Sequence, residues 1–191
     1  MHWAILNGES ATGASLHYMV EKPDAGALVD QQSVPILEND TALDVSFKVA
    51  DAAEQVLRRS LPKLIAGSAP AQALDLGSGS YFGRRRPEDG RIDWRGTARR
   101  VHDLVRAVAP PFPGAFTEVN GCRLAVLETR VDAEPARYLN QAPCLYAADG
   151  EWYADCVDGR RLRIVRLVMN GEPVPPDRPP PPLAQQPVAL A

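Results

Sequence analysis

Cysteine is scarce in this sequence. Cys122, Cys144 and Cys156 are its three, odd in number, widely spaced and without a Cys-x-x-Cys pair. They argue against a disulfide framework or a zinc site and fit a reducing, cytoplasmic setting. His2, His17 and His102 share no ligand spacing, so they read as surface or packing residues and no metal is expected. No apolar run nears the roughly 18 residues of a membrane span. Residues 1–9 lack the basic segment followed by an apolar stretch that marks a secretory signal. Positive charge is not in surplus either. Lys and Arg number 21 against 24 Asp and Glu, for a net charge of -3 and a pI near 5.6. That balance argues against nucleic acid as a partner. What remains is a composition of 45% hydrophobic and 24% charged residues over 191 positions, which suits one ordinary soluble domain or two small ones.

The chain reads as alternating textures. Trp3-Ala4-Ile5-Leu6 is apolar and runs into the turn signal Asn7-Gly8-Glu9. Residues 14–20 and 27–36 suit two strands, separated by a loop holding Pro23 and Gly26. Thr41 stands three residues before Asp44, a helix-start pattern. From there Leu43, Phe47, Ala50, Ala53, Leu57, Leu61 and Leu64 predict an amphipathic helix ending near Gly67, with Lys48, Asp51, Glu54, Arg58 and Arg59 outward.

Residues 68–96 are rich in Gly, Pro, Ser and Arg and read as a loop bridging two substructures. Thr97 caps a second helix with a Val101, Leu104, Val105, Val108 stripe, and the run from Pro110 to Gly114 ends it. Asn120-Gly121 and Asp158-Gly159 each sit between strand-like segments. Small antiparallel strands around such turns predict a compact barrel or half-barrel. Eight of the chain's 18 prolines fall after residue 171, which predicts a disordered or polyproline-like tail over 172–191.

Taken one residue at a time, little here demands chemistry. Asp24-Ala25-Gly26 is ordinary turn composition. Gly77-Ser78-Gly79 and Gly83 lack the lysine and hydroxyl of a P-loop and read as flexible linker. Arg84, Arg85 and Arg86 form a glycine-flanked cluster that could hold a diphosphate, or could be a solvated loop offset by Glu88 and Asp89.

The order of segments is more specific. Residues 3–17, with Asn7-Gly8-Glu9 ahead of Thr12-Gly13, resemble a stretch of the folate-dependent formyltransferases. Val20-Glu21-Lys22-Pro23-Asp24-Ala25-Gly26 resembles the loop that carries that family's catalytic aspartate. Tyr81-Phe82-Gly83-Arg84-Arg85-Arg86-Pro87-Glu88-Asp89-Gly90 and residues 105–116 resemble the start of its second domain. The resemblance runs in unbroken order from residue 2 to about 127.

It implies an α+β chain. A C-terminal remnant of a Rossmann-like catalytic domain, hairpin plus long helix, would occupy 1–70. A linker with the arginine loop would follow over 71–96, then a small barrel-like, OB-type domain over 97–171. It implies transfer of formyl from N10-formyltetrahydrofolate to an amine. Asp24 would be catalytic, and Val20, Glu21, Lys22, Pro23 and Asp24 would bracket the pterin. Arg84, Arg85 and Arg86 would meet the substrate.

The arginine loop and the acidic pI look most like enzymes that formylate the sugar nucleotide UDP-4-amino-4-deoxy-L-arabinose for lipid A modification of lipopolysaccharide. A methionyl-tRNA formyltransferase fragment and a non-catalytic nucleotide-binding module are the alternatives, and a decaying gene product is a third. The family's Asn-x-His-x-Ser-Leu-Leu-Pro motif, whose Asn and His stabilise the oxyanion and handle its proton, does not occur. His2 abuts Trp3 and cannot replace it. The expectation is of an N-terminally truncated chain that is inactive alone, with apolar faces exposed on the hairpin and helix. The sequence sets no oligomeric state.

Overall fold

Turn chemistry decides where the strands of this chain begin and end. The computed structural model describes residues 1–77, 79–138 and 142–190. Ser78, within the expected glycine linker, and Ala191 of the tail lie outside the described residues. The chain divides into two units, one of residues 9–40 and 44–84, the other of residues 2–8, 41–43 and 85 onward.

The first unit is built on a hairpin. Strands β1 (Ala11–His17) and β2 (Leu28–Pro35) pair antiparallel, with a register shift at Leu16/His17. Gly13 permits the pairing, since a Cβ there would stand 2.3 Å from the Gln32 carbonyl oxygen. The first strand starts and stops earlier than its composition predicts, leaving Tyr18, Met19 and Val20 off the sheet. Leu28 also exchanges two backbone hydrogen bonds with Gln72, so the chain returns to the hairpin after its helix.

That helix, α2 (Ala42–Ile65), corrects the sequence reading of its inner face. Val45, Ala52, Val56 and Ser60 are buried, whereas Phe47, Leu57 and Leu61 are exposed. The helix carries two apolar stripes, and periodicity cannot say which one is covered. Arg59 and Ser60 settle the orientation by reaching β2. Arg59 donates to Asp30, to the Gln31 carbonyl and to the Gln32 side chain, and the Ser60 hydroxyl donates to Asp30 at 2.9 Å. The helix ends through a Gly67 at φ 67°, as expected.

The second unit is a curled antiparallel sheet with helices on it. Its strands are β3 (Ala115–Val119), β4 (Cys122–Pro135), β5 (Cys144–Ala148), β6 (Glu151–Asp155), β7 (Arg160–Met169), β8 (Glu172–Pro173) and β9 (Val188–Ala189). They lie in the order β3-β4-β7-β6-β5-β9, with β8 beside β7. Three links are two-residue turns with both residues at positive φ: Asn120-Gly121, Asp149-Gly150 and Asn170-Gly171. These mirror-image turns match the right-handed twist of the strands they join. Asp158-Gly159 acts differently. Gly159 alone has positive φ, and its N–H closes the turn on the Cys156 carbonyl. Both Asp158 oxygens, 3.2 Å from the Ala98 N–H, cap helix α3 (Ala98–Ala107) together with Thr97.

The core lies between α3 and the sheet. Val101 and Val105 join Leu124, Val126, Leu162, Ile164 and Leu167. His102 is a buried packing residue that shares a 2.9 Å hydrogen bond with Thr129. Helix α1 (His2–Leu6) packs here on α3, with His2 Nδ1 donating to the Ala107 carbonyl, so residues 2–8 do not group with the first unit.

Two expectations are corrected. The linker predicted over 71–96 is already core by its end: Gly90, Ile92 and Trp94 are buried, and Trp94 Nε1 donates to Thr117 at 2.9 Å. The tail is not disordered. Leu183 is fully buried, Val188 and Leu190 are nearly so, and β9 adds to the sheet at β5. Asn120 donates to the Pro182 carbonyl, the Ala147 N–H to Gln186, and the Leu190 N–H to the Pro143 carbonyl. Proline density forbids an α-helix here, leaving only a short 3-10 turn (Pro181–Leu183), but it does not forbid a strap, since a proline-rich segment already lies in a largely extended conformation.

Candidate functional site

Two groupings of chemistry-bearing residues stand out, one in each unit. The first is the loop between β1 and β2. Its ends meet where the Tyr18 N–H donates to the Ala27 carbonyl. Gly26 allows this closure, because any Cβ there would lie 1.6 Å from the Tyr18 carbonyl oxygen. Asp24 sits at φ 57°, a left-handed conformation costing roughly 1 kcal/mol for a residue with a side chain. Its carboxylate is 86% exposed and stands 3.8 Å from His17 Nε2. Because the Tyr18 carbonyl can only accept, His17 Nδ1 donates to it at 2.9 Å, which turns Nε2 toward Asp24.

Around this pair, Met19 is 94% and Val20 53% exposed. Among the described residues, the N–H groups of Met19, Val20, Glu21, Lys22 and Asp24 have no partner. A flat, hydrogen-bonding heterocycle could use both the apolar side chains and those free amides.

The second grouping is a cleft of about 470 Å³ in the second unit. Trp3, Leu6 and Asn7 form one side, and Val101 and Leu104 of α3 form the floor. Arg85, Arg91, Arg95 and Arg100 supply cations, with Asp89 and Asp93 as the acidic residues. Arg85 lies over the Trp3 ring at 5.7 Å and donates Nη2 to the Asp89 carbonyl at 2.8 Å. Its Nη1 is buried without a partner, and burial lowers its pKa from the ordinary arginine value. Arg95 holds Asp93 at 2.9 Å and keeps that carboxyl below its usual range. Arg91 pairs with Glu118 at 2.6 Å.

The arginine run is thus divided. Arg85 enters the cleft. Arg86 instead donates its backbone N–H to the Asp89 carboxylate at the start of a short 3-10 turn (Pro87–Gly90), and Arg84 is exposed at the end of the first unit. His17 beside Asp24, and Arg100 in the same cleft as Arg85, were not singled out in the sequence. Neither has a local signature, since each meets its partner only through the fold. Burial pushes the Cys144 thiol up to about 11 and Cys156 to about 12, leaving both protonated and unreactive near neutrality. Among the described residues no group of three or more His, Cys, Asp or Glu could hold a metal, and no helix is long and apolar enough to cross a membrane.

Comparison with known proteins covers both units. Residues 1–61 match the family model described as "Formyl transferase", and residues 85–174 match "Formyl transferase, C-terminal domain". Among solved structures, the chain is similar to an N-formyltransferase from Helicobacter canadensis in complex with folinic acid and dTDP-3-aminofucose. The TM-score is 0.69 and the identity 21%, over 84% of this chain and 58% of that one. It is also similar to WlaRD, a sugar 3N-formyl transferase, with TM-score 0.67 and 21% identity over 89% and 59% of the two chains. A sugar N-formyltransferase from Shewanella sp FDAARGOS_354 gives TM-score 0.54 and 27% identity over 71% and 55%. The chain therefore spans a little over half the length of these proteins.

Proposed function

Since the chain belongs to the formyl transferase family, we propose that it is part of an enzyme moving a formyl group from N10-formyltetrahydrofolate to the amine of a sugar nucleotide. UDP-4-amino-4-deoxy-L-arabinose, a lipid A precursor, is the substrate this reading favours, acting in the cytoplasm. The observation that carries it is the β1–β2 loop, in which a strained, exposed Asp24 faces His17 beside free backbone amides. The folate, when bound, supplies an electrophilic formyl carbon. Val20, Glu21, Lys22 and Pro23 would bracket its pterin ring, and the free N–H groups would be available to the ring's acceptors. Asp24 takes the proton that the attacking amine loses, a positioned-base role worth about 10²–10⁴ in rate. Arg85 meets the substrate's anionic part. A net charge of -3 weighs against the methionyl-tRNA alternative.

An oxyanion donor is the part this reading cannot find among residues 1–191, which contain no Asn-x-His-x-Ser-Leu-Leu-Pro. The chain by itself is therefore inactive in this reading, and joined to a segment carrying that motif it becomes active. The test compares formyl transfer to the amino sugar nucleotide by the two forms. No turnover alone, clear turnover when joined, and a loss of at least about 100-fold in Asp24→Asn are expected. Turnover by residues 1–191 alone would overturn the inactivity, and none by the joined form would overturn the substrate assignment.

A further inference from the structure

The proline-rich strap is fastened to the sheet by a bond whose donor is chemically perishable. Asn120, first of the two turn residues between β3 and β4, donates Nδ2 to the Pro182 carbonyl at 2.8 Å, one residue before the fully buried Leu183. Gly121 follows it, and both residues are exposed. Asparagine before glycine is open to intramolecular attack, because glycine has no Cβ to crowd the approach. The Gly121 N–H has no backbone or side-chain partner among the described residues. In that reaction the Gly121 nitrogen gives up its proton and bonds to Asn120 Cγ. The Cγ–Nδ2 bond breaks, and ammonia leaves with the proton. Water then opens the cyclic imide, leaving aspartate or its β-linked isomer.

For the attack, Cγ must swing over the Gly121 nitrogen, and the bond to Pro182 keeps the side-chain amide on the strap instead. Asn170-Gly171 supplies the comparison. It is the same pair in the same kind of turn, at φ 53° and 88° against 48° and 77°. It is also exposed, and among the described residues the Asn170 side chain makes no hydrogen bond. At Asn7-Gly8, by contrast, the glycine N–H is already given to the Ile5 carbonyl at 2.9 Å.

We propose that Asn120 is a self-modifying site that acts as a one-way latch on the strap. While the strap is down, the Pro182 carbonyl protects the amide. Once the strap lifts, the amide is consumed, and the carboxylate left behind offers that carbonyl an acceptor where a donor stood. The strap then closes less often than before. The segment released lies past residue 174, beyond the span of the second family-model match. The latch is independent of the reaction at Asp24.

The test ages residues 1–191 at mildly alkaline pH and reads each asparagine by peptide mass spectrometry. Asn170 converts, and Asn120 follows about two- to tenfold more slowly, the worth of one neutral hydrogen bond. In Leu183→Ala, which loosens the strap, Asn120 approaches the Asn170 rate. Hydrogen exchange reads the other half of the latch in Asn120→Asp, the product itself. There the Leu190 and Ala147 amides, which donate to the Pro143 carbonyl and the Gln186 side chain, exchange about two- to tenfold faster. Asn170→Asp, the same change where the side chain holds no strap, leaves them unchanged. Aspartate before glycine still suits both turns, so their geometry is kept. Asn120 converting as fast as Asn170 in the intact chain, or not at all once the strap is loosened, overturns the latch. Unchanged exchange in Asn120→Asp overturns it as well, and decides alone if circular dichroism shows that Leu183→Ala has lost its sheet.

Discussion

Individual side chains differ sharply in how much of their role the sequence exposes. Asp24 is singled out only by the resemblance of its motif, and nothing local announces that it lies in a left-handed conformation beside His17. The three cysteines look alike on paper and diverge in the fold. Cys144 and Cys156 are buried with raised pKa values, and Cys122 is half-exposed. Brief alkylation of the native chain should therefore modify Cys122 first, with the other two reacting only after denaturation, as read by peptide mass spectrometry.

Asp30 gives a pH-dependent counterpart. The hydrogen bond from Arg59, assisted by those of Ser60 and the Gln31 N–H, holds its carboxyl well below the usual 3.8. Its stabilising contribution is therefore complete above that value. It drains away as pH falls through the lower folded-state pKa. Asp30→Asn should lower the thermal unfolding midpoint near neutrality by a modest amount, and the deficit should shrink in strong acid. Calorimetry over an acid series decides this, since a pH-independent deficit would assign the loss to something other than the ionised pair.

Elements were more legible where turns set them than where burial did. Asn120-Gly121 fixes β3 and β4 because few other pairs tolerate two positive φ values in succession. The same logic applies to Asp149-Gly150 and Asn170-Gly171, which carry the identical signal. Helix α2 existed on paper, but its two apolar stripes could not be ranked without knowing that Arg59 and Ser60 face β2. The tail was misread because proline density describes a chain without partners, and this one buries Leu183 in the core. Removing that fully buried side chain in Leu183→Ala should cost about 2–5 kcal/mol, measurable by urea unfolding. A loss below about 0.5 kcal/mol would mean the strap contributes nothing to the unit.

At the scale of the whole molecule, the family was visible from the order of motifs, and most of the chemistry was not. Both family-model matches follow segments whose spacing is linear in sequence. The cleft, by contrast, draws Trp3, Arg85 and Arg100 from three distant stretches, and no pattern of period or spacing links them. The partition at residues 84 and 85 also divides the arginine run, so one linear cluster serves two units.

The strap has one further consequence. Strand β5 pairs with β6 on one side, and its other side is covered at Cys144 and Leu145 only by β9. Peeling that short strand away would bare a row of unsatisfied amides and carbonyls along an apolar edge, the kind of template that recruits further chains. Cleavage just after Leu183 should thus convert a dispersed protein into one that self-associates with time, seen as a growing fast-sedimenting fraction. The strap acts as a guard against aggregation as much as a part of the core.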